Sequence, residues 1–379
     1  MSNIPYQKIT SPAFVLDVRR LRQNLELMAE VQDKAGVSII LALKGFAMWR
    51  VFPLIDEYLK GATASSLAEA RLIMEEMGSK AHTYSPAYLP GEFAELARYS
   101  SHVSFNSLSQ YEQFRDLALA AGCSPGVRVN PQYSEVDTDL YNPAVPGSRL
   151  GMLSDQLPEV LPEGIEGFHV HTLCESSAKA TEQLIRALEN RFGKWLAQLK
   201  WINLGGGHLM TRKGYDVEHL IAVLRSFRER HPHLAVTLEP GSAVAWETGE
   251  LVSSVLDIVE SGGIKTAILD VSFTAHMPDT LEMPYRPQVI GATDPIPGKP
   301  TYRLGGVSCL AGDYMSEYSF DKPLQVGDQV ILKDMMHYTM VKTTTFNGVT
   351  HPSICLWTEG DQLEVVRQFG YEDFKNRLS

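Results

Sequence analysis

Short apolar runs alternate with longer amphipathic stretches along the first two-thirds of the chain. Residues 37–43 (VSIILAL), 61–65 (GATAS), 80–84 (KAHTY), 102–105 (HVSF), 126–130 (GVRVN), 165–171 (IEGFHVH), 201–204 (WINL) and 235–239 (AVTLE) predict eight strands. Between them, residues 66–77, 108–119 and 215–230 repeat apolar side chains at i, i+3 and i+4, the period of a helix with one buried face. Such alternation favours right-handed βαβ units and a parallel sheet. Eight units is the number that closes a (β/α)8 TIM barrel; a doubly wound open sheet is the other solution.

After Glu239 the texture changes. ELVSSVLDIVE, IKTAILDVSF, DQVILKDM and YTMVKT read as antiparallel strands without long helices between them. PIPGKP (295–300) reads as a turn, and PLQVGDQV as a hairpin-like run around Gly327-Asp328. SPAFVLD (11–17) reads as a further strand of the same domain. The expected α/β organisation is a barrel over 18–240 beside a β-sandwich or β-barrel domain built from both sequence ends, 1–17 and 241–379.

Composition narrows the class. A chain of 379 residues suits two domains, and 44% hydrophobic with 21% charged residues is ordinary for a soluble enzyme. No apolar run approaches the ~20 residues that span a bilayer, and the N-terminal segment lacks a signal-peptide layout, so a cytoplasmic protein with no membrane partner is expected. Cys123, Cys174, Cys309 and Cys355 are scattered, which argues against structural zinc and disulfides. The net charge of −11 comes without a basic stripe, so nucleic acid is not an expected partner.

In a barrel the chemistry sits at the C-terminal ends of the strands. Those positions hold Lys44, Ser65-Ser66, Tyr84-Ser85, Asn106, Arg128 and Asn130, His171, Gly205-Gly206-Gly207 and Glu239. Lys44 ends an apolar strand, which suits either a snorkelling solvent-side lysine or a desolvated amine able to form an imine with an aldehyde. The glycine triplet suits a tight turn or bare N–H groups for a phosphate, and it matches neither the dinucleotide nor the Walker A pattern. Glu239 beside Pro240-Gly241 suits a turn residue or a carboxylate paired with a ring nitrogen. His169 and His171 share one strand face, as metal-binding HxH pairs do. Later strand ends offer glycines and Glu239 where such sites need another histidine and an aspartate, so no metal is expected.

Taken in order, LALKGF around Lys44, SRLG (148–151), HVHTLCE (169–175), LGGG (204–207), LEPG (238–241), SCLAGD (308–313) and YTMVKTTTFNG (338–348) resemble the alanine-racemase-like pyridoxal 5'-phosphate (PLP) enzymes. The branch is that of ornithine and diaminopimelate decarboxylases, and within it the set resembles the carboxynorspermidine and carboxyspermidine decarboxylases. The resemblance implies PLP held on Lys44 as a Schiff base, with His171 against the cofactor ring and Glu239 on its pyridine nitrogen. Gly205, Gly206, Gly207 and Tyr338 would hold the phosphate, and Cys309 would donate a proton after CO2 leaves. It also implies a homodimer in which Cys309 and Asp313 reach the other subunit's site.

Two positions depart from the wider branch. Leu310 stands where the ornithine and diaminopimelate enzymes have an acid, as expected when the substrate is a long carboxylated polyamine. Ser242 stands where ornithine decarboxylase has an arginine, which leaves the phosphate to backbone amides and Tyr338. Charge logic adds Arg149 and His276 as cations for the substrate carboxylate, and Asp279, Glu282 and Asp313 as acids for its amines. The expected reaction is decarboxylation of carboxynorspermidine or carboxyspermidine. Its rivals are decarboxylation of diaminopimelate, ornithine or arginine, racemisation, and a non-catalytic polyamine-pathway regulator.

Overall fold

The computed structural model describes residues 4–136, 138–283 and 285–379. It divides into two compact units, Asn24–Val244 and a second assembled from Met1–Gln23 with Ala245–Ser379.

In the first unit all eight predicted runs form strands, and all pair in parallel. The first is broken at Ile40: Ser38–Ile39 pairs with Ala235–Leu238, and Leu41–Ala42 pairs with Ala62–Ala64. This strand therefore links the last to the second and closes the ring, which decides for the barrel over the open sheet. The other strands, Ala81–Tyr84, Ser100–Phe105, Ser124–Arg128, Gly167–His169 and Trp201–Asn203, follow in sequence order.

The helices start where the chain supplies caps. Ser66, Ser107, Ser177 and Asp216 each accept a backbone N–H three residues on, opening Leu67–Met77, Leu108–Ala120, Ala178–Leu196 and Val217–Arg230. One connection departs from the helical pattern. Between Ser124–Arg128 and Gly167–His169 the described chain runs as a long loop with two short 3-10 turns, tethered by a bridge between Val129 and Met152.

The barrel lumen is polar, although the layers of such barrels are usually branched aliphatic. Trp201 fills the space over Gly167, where a Cβ would fall 2.0 Å from the indole. Its Nε1–H donates to Ser124 Oγ at 2.8 Å. Alongside lies a cavity of about 10 Å³, lined by Thr63, His82, His102, Ser104, Asn203 and Glu239 among others. That is room for about one water. The rings of His82 and His102 are 3.9 Å apart, and burial pushes His82 down to about 3, so it stays neutral.

In the second unit, Ala13–Asp17 is buried at every position, between Gly249–Ser261 on one side and Ser353–Trp357 on the other. A strand covered on both faces reads as an unbroken apolar run, as FVL does here. The sheet is mixed rather than antiparallel throughout: Ala13–Asp17 runs parallel to Ser353–Trp357, and Ile264–Leu269 parallel to Thr301–Gly305. YTMVKT is not a strand. It coils into turns, with Tyr338 at φ +50 and the N–H groups of Val341 and Lys342 returning to the Tyr338 carbonyl. PLQVGDQV supplies a turn but no hairpin, because Gln329–Lys333 pairs with Gly249–Ser261 instead of its preceding strand. No helix among the described residues is long and apolar enough to cross a membrane.

Candidate active site

Barrel closure sets Lys44 beside Glu239. The turn after the first strand packs against the turn after the last, with Ala42 N–H donating to Pro240 O at 3.2 Å. The approach requires glycine at 45, since a Cβ there would sit 2.6 Å from Gly241 Cα. Lys44 keeps solvent-accessible surface at the barrel mouth. The protein walls around it still desolvate its ammonium, lowering the pKa; Glu239 opposes this and Arg128 adds to it. A reachable amine biased toward its neutral form is a nucleophile for a carbonyl.

Glu239 is the hub. Its Oε1 lies 2.9 Å from His169 Nε2 and 3.2 Å from His171 Nδ1, and its Oε2 accepts from Asn203 Nδ2 at 2.9 Å. Burial by itself would raise the carboxyl; His169 and then His171 outweigh it and hold Glu239 well below the usual carboxylate range. Burial also pushes both histidines down, His171 to about 3, with Lys44 contributing. An ionised carboxylate only accepts, so neutral His169 must carry its proton on Nε2. His169, His171 and Glu239 bring possible metal-ligand atoms within 4.8 Å of one another, but the contacts joining them are of hydrogen-bond length.

Asn203 ties the hub to the glycine turn, its Oδ1 accepting from Gly205 N–H at 2.8 Å. Gly207 has φ +87, and a Cβ on it would meet the Leu173 carbonyl carbon at 2.3 Å. Gly207→Ala is therefore expected to destabilise the fold by roughly 1–3 kcal/mol and to weaken anion binding at this turn. Urea unfolding and phosphate-ester binding to the cofactor-free protein check both.

These residues fit PLP. Lys44 supplies an amine for its aldehyde, Glu239 an anion fixed by three partners for its ring nitrogen, and the glycine turn a cradle that side chains would fill. His171 lies across the same turn: a Cβ on Gly205 would fall 2.6 Å from the His171 Cβ.

The remaining predicted residues divide. Arg149 is exposed on the long loop, which Asn106 ties down by donating to the Arg149 carbonyl at 2.7 Å and accepting from Gly151 N–H at 2.8 Å. Cys309, His276, Asp279, Asp313 and Tyr338 belong to the other unit. His276 is fully buried and pushed down to about 4 by burial and by His351, so it offers no cation at neutral pH. Asp313 accepts three hydrogen bonds from its own unit. Asp279 differs: Tyr285 and Thr339 hydroxyls both donate to Oδ2 at 2.8 Å, while buried Oδ1 has no donor among the described residues. Glu282 is paired with Lys342.

Sequence reasoning gave no role to Arg128, His169 or Asn203. Arg128 is buried and donates to the His171 carbonyl at 2.7 Å, and its guanidinium stacks over Tyr84 at 4.5 Å. A polar residue pointing into the lumen at three successive strands was the signal available.

A family profile described as pyridoxal-dependent decarboxylase, C-terminal sheet domain, matches residues 13–336. The chain is 52% identical over 378 residues to the carboxyaminopropylagmatine decarboxylase of Synechocystis sp., covering 100% of this chain and 98% of that protein. It is 44% identical over 383 residues to the carboxynorspermidine/carboxyspermidine decarboxylase of Campylobacter jejuni, covering 98% and 99%. The crystal structure of carboxynorspermidine decarboxylase from C. jejuni, complexed with norspermidine, superposes with a TM-score of 0.90 at 43% identity over 97% of this chain and 100% of that one. With the profile spanning most of the chain and these relatives spanning nearly all of it, the chain belongs to the pyridoxal-dependent decarboxylases.

Proposed function

We propose that this enzyme removes CO2 from a carboxylated polyamine of the carboxynorspermidine and carboxyspermidine type, as a cytoplasmic homodimer. The observation that carries the reading is full-length identity of 44% and 36% to two decarboxylases named for these substrates. Four free thiols suit a reducing compartment.

Bound PLP would supply an electron sink for the pair released when the carboxylate leaves. Lys44 would hold its aldehyde. Glu239, fixed by His169, His171 and Asn203, would hold a proton on the ring nitrogen. Gly205, Gly206, Gly207 and Tyr338 would receive the phosphate, and His171 would cover the ring. Cys309, acting in the partner subunit's site, gives its proton to the carbon that lost CO2. Leu310 adds no charge beside it. Asp279 is the acid best suited to a substrate ammonium, because one buried oxygen still lacks a donor among the described residues. Arg149 is retained for the substrate carboxylate. His276 and Asp313 suit that recognition less well, the first for want of charge and the second for want of a free oxygen.

A second reading takes carboxyaminopropylagmatine as substrate, favoured by the 52% identity to the Synechocystis enzyme. The two readings differ at the far end of the substrate, an ammonium in one and a planar guanidinium in the other. CO2 release measured on carboxynorspermidine, carboxyspermidine, carboxyaminopropylagmatine, diaminopimelate and ornithine decides. The expected result is kcat/KM at least about 100-fold higher for one or more of the first three, since an unpaired polar end leaves buried groups unsatisfied. Preference for diaminopimelate or ornithine would reject the polyamine reading, and activity on none would favour the regulator.

A further inference from the structure

The loop that carries Cys309 is held from two sides within its own unit. Its backbone N–H donates to Asn347 Oδ1 at 2.8 Å. Asn347 has φ +54, a left-handed conformation that asparagine tolerates better than most residues. On the other side lies Asp313, 4% exposed. Its Oδ2 accepts from Ser308 N–H at 3.1 Å and Ser272 Oγ–H at 2.9 Å, and its Oδ1 from Thr274 N–H at 3.0 Å. The Asp313 backbone closes the loop as well, accepting from Gly306 N–H at 2.7 Å and donating to Leu310 O at 3.0 Å. A carboxylate offers about four acceptor sites, and Asp313 commits three of them to its own loop and the segment beneath it.

We propose that Asn347 and Asp313 are positioning residues that aim the Cys309 thiol, and that Asp313 is not a substrate ligand. The proposal rests on Cys309 as the proton donor. In that step the bond to the carboxylate breaks and CO2 leaves. The electron pair left on carbon takes the Sγ proton, and the thiolate takes one back from water. Transfer needs the thiol within hydrogen-bond reach of that carbon. Cys309 is exposed on its own chain, so its direction depends on the backbone beneath it. Two clamps there, one on its N–H and one across residues 306–313, supply that direction.

The test compares holoenzymes carrying Asn347→Ala, Asn347→Asp, Asp313→Asn and Cys309→Ser, on the best substrate of the CO2-release assay. Alongside kcat and KM, the hydrogen-to-deuterium ratio at the new C–H bond is measured in mixed water and heavy water. A thiol fractionates the isotopes differently from a hydroxyl or water, so the ratio identifies the donor. Asn347→Ala and Asp313→Asn are expected to lower kcat about 10- to 100-fold, since small misplacements cost that much, with KM within about twofold. The isotope ratio should move toward that of Cys309→Ser. Asn347→Asp, whose carboxylate accepts the same N–H, should restore most of kcat. A raised KM at unchanged kcat for Asp313→Asn would make it a substrate ligand after all. Wild-type kcat and ratio in Asn347→Ala and Asp313→Asn, with the ratio altered in Cys309→Ser, would overturn the positioning alone. An unaltered ratio in Cys309→Ser would instead remove the donor, and the proposal with it.

Discussion

Lys44→Ala is expected to lower kcat on the order of 10⁴-fold and to abolish the near-visible absorption of the purified enzyme. The size follows from the amine's position. Among the described residues it is the lysine that ends a barrel strand, with its side chain reachable and its charge desolvated. Stability should respond in the opposite direction. A lysine whose folded pKa lies below its unfolded value weakens the fold wherever the unfolded chain holds the proton, that is below the ordinary lysine pKa. The penalty is present at neutral pH, shrinks as pH rises from the folded pKa toward that value, and is gone above it. The cofactor-free Lys44→Ala protein should therefore melt no lower than cofactor-free wild type at pH 7. Calorimetry with absorbance spectra checks both arms, and a variant that still decarboxylates would end the assignment.

Glu239→Gln should reduce kcat by roughly 10²–10³, the usual consequence of removing one preorganised electrostatic partner from a buried site. An amide is nearly the same shape but neutral, so it cannot hold a proton on a ring nitrogen. It also carries an NH₂ that must face either Asn203 Nδ2 or the protons of His169 and His171, each of them a donor. Cofactor affinity, read by equilibrium dialysis, should fall with kcat. The pH dependence is set by the sign of the shift: the folded pKa of Glu239 is depressed, so its contribution to stability is complete above the unfolded carboxylate value. That contribution is lost as pH falls through the folded value. The melting difference between wild type and Glu239→Gln should accordingly be largest near neutrality and shrink in acid. A difference that grows in acid would contradict the network described.

The barrel was legible because its signals are local: eight apolar runs, their helical intervals, and polar side chains at the strand ends. What Lys44, His171, the glycine triplet and Glu239 share is a position in that repeat. Asn203 and His169 were not assigned roles, because their importance lies in contacts across the lumen to a residue as much as 70 positions away. In the other unit the parallel pairing of residues 13–17 with 353–357 has no local signature, and alternation alone suggested antiparallel strands. YTMVKT alternates like a strand but serves as a turn, with Tyr338 itself in the left-handed region. Asp313 and Asp279 look alike in the sequence, and only their hydrogen-bond partners separate the clamp from the acid with an oxygen to spare.

The strand Ala13–Asp17 also bears on how the chain survives its own synthesis. Its parallel partner lies roughly 340 residues downstream. At about 5–20 residues per second it therefore waits roughly 20–70 s for the last of its neighbours. The barrel strands need no such delay, since each pairs with the one made just before it and only the ring closure waits for Ala235–Leu238. A nascent chain thus holds a five-residue strand, buried throughout in the finished fold, open to solvent while the rest is translated. Its exposed edges can recruit another chain. The aggregation risk of this protein lies in the residues made first and covered last, and chaperone binding during translation is best sought there.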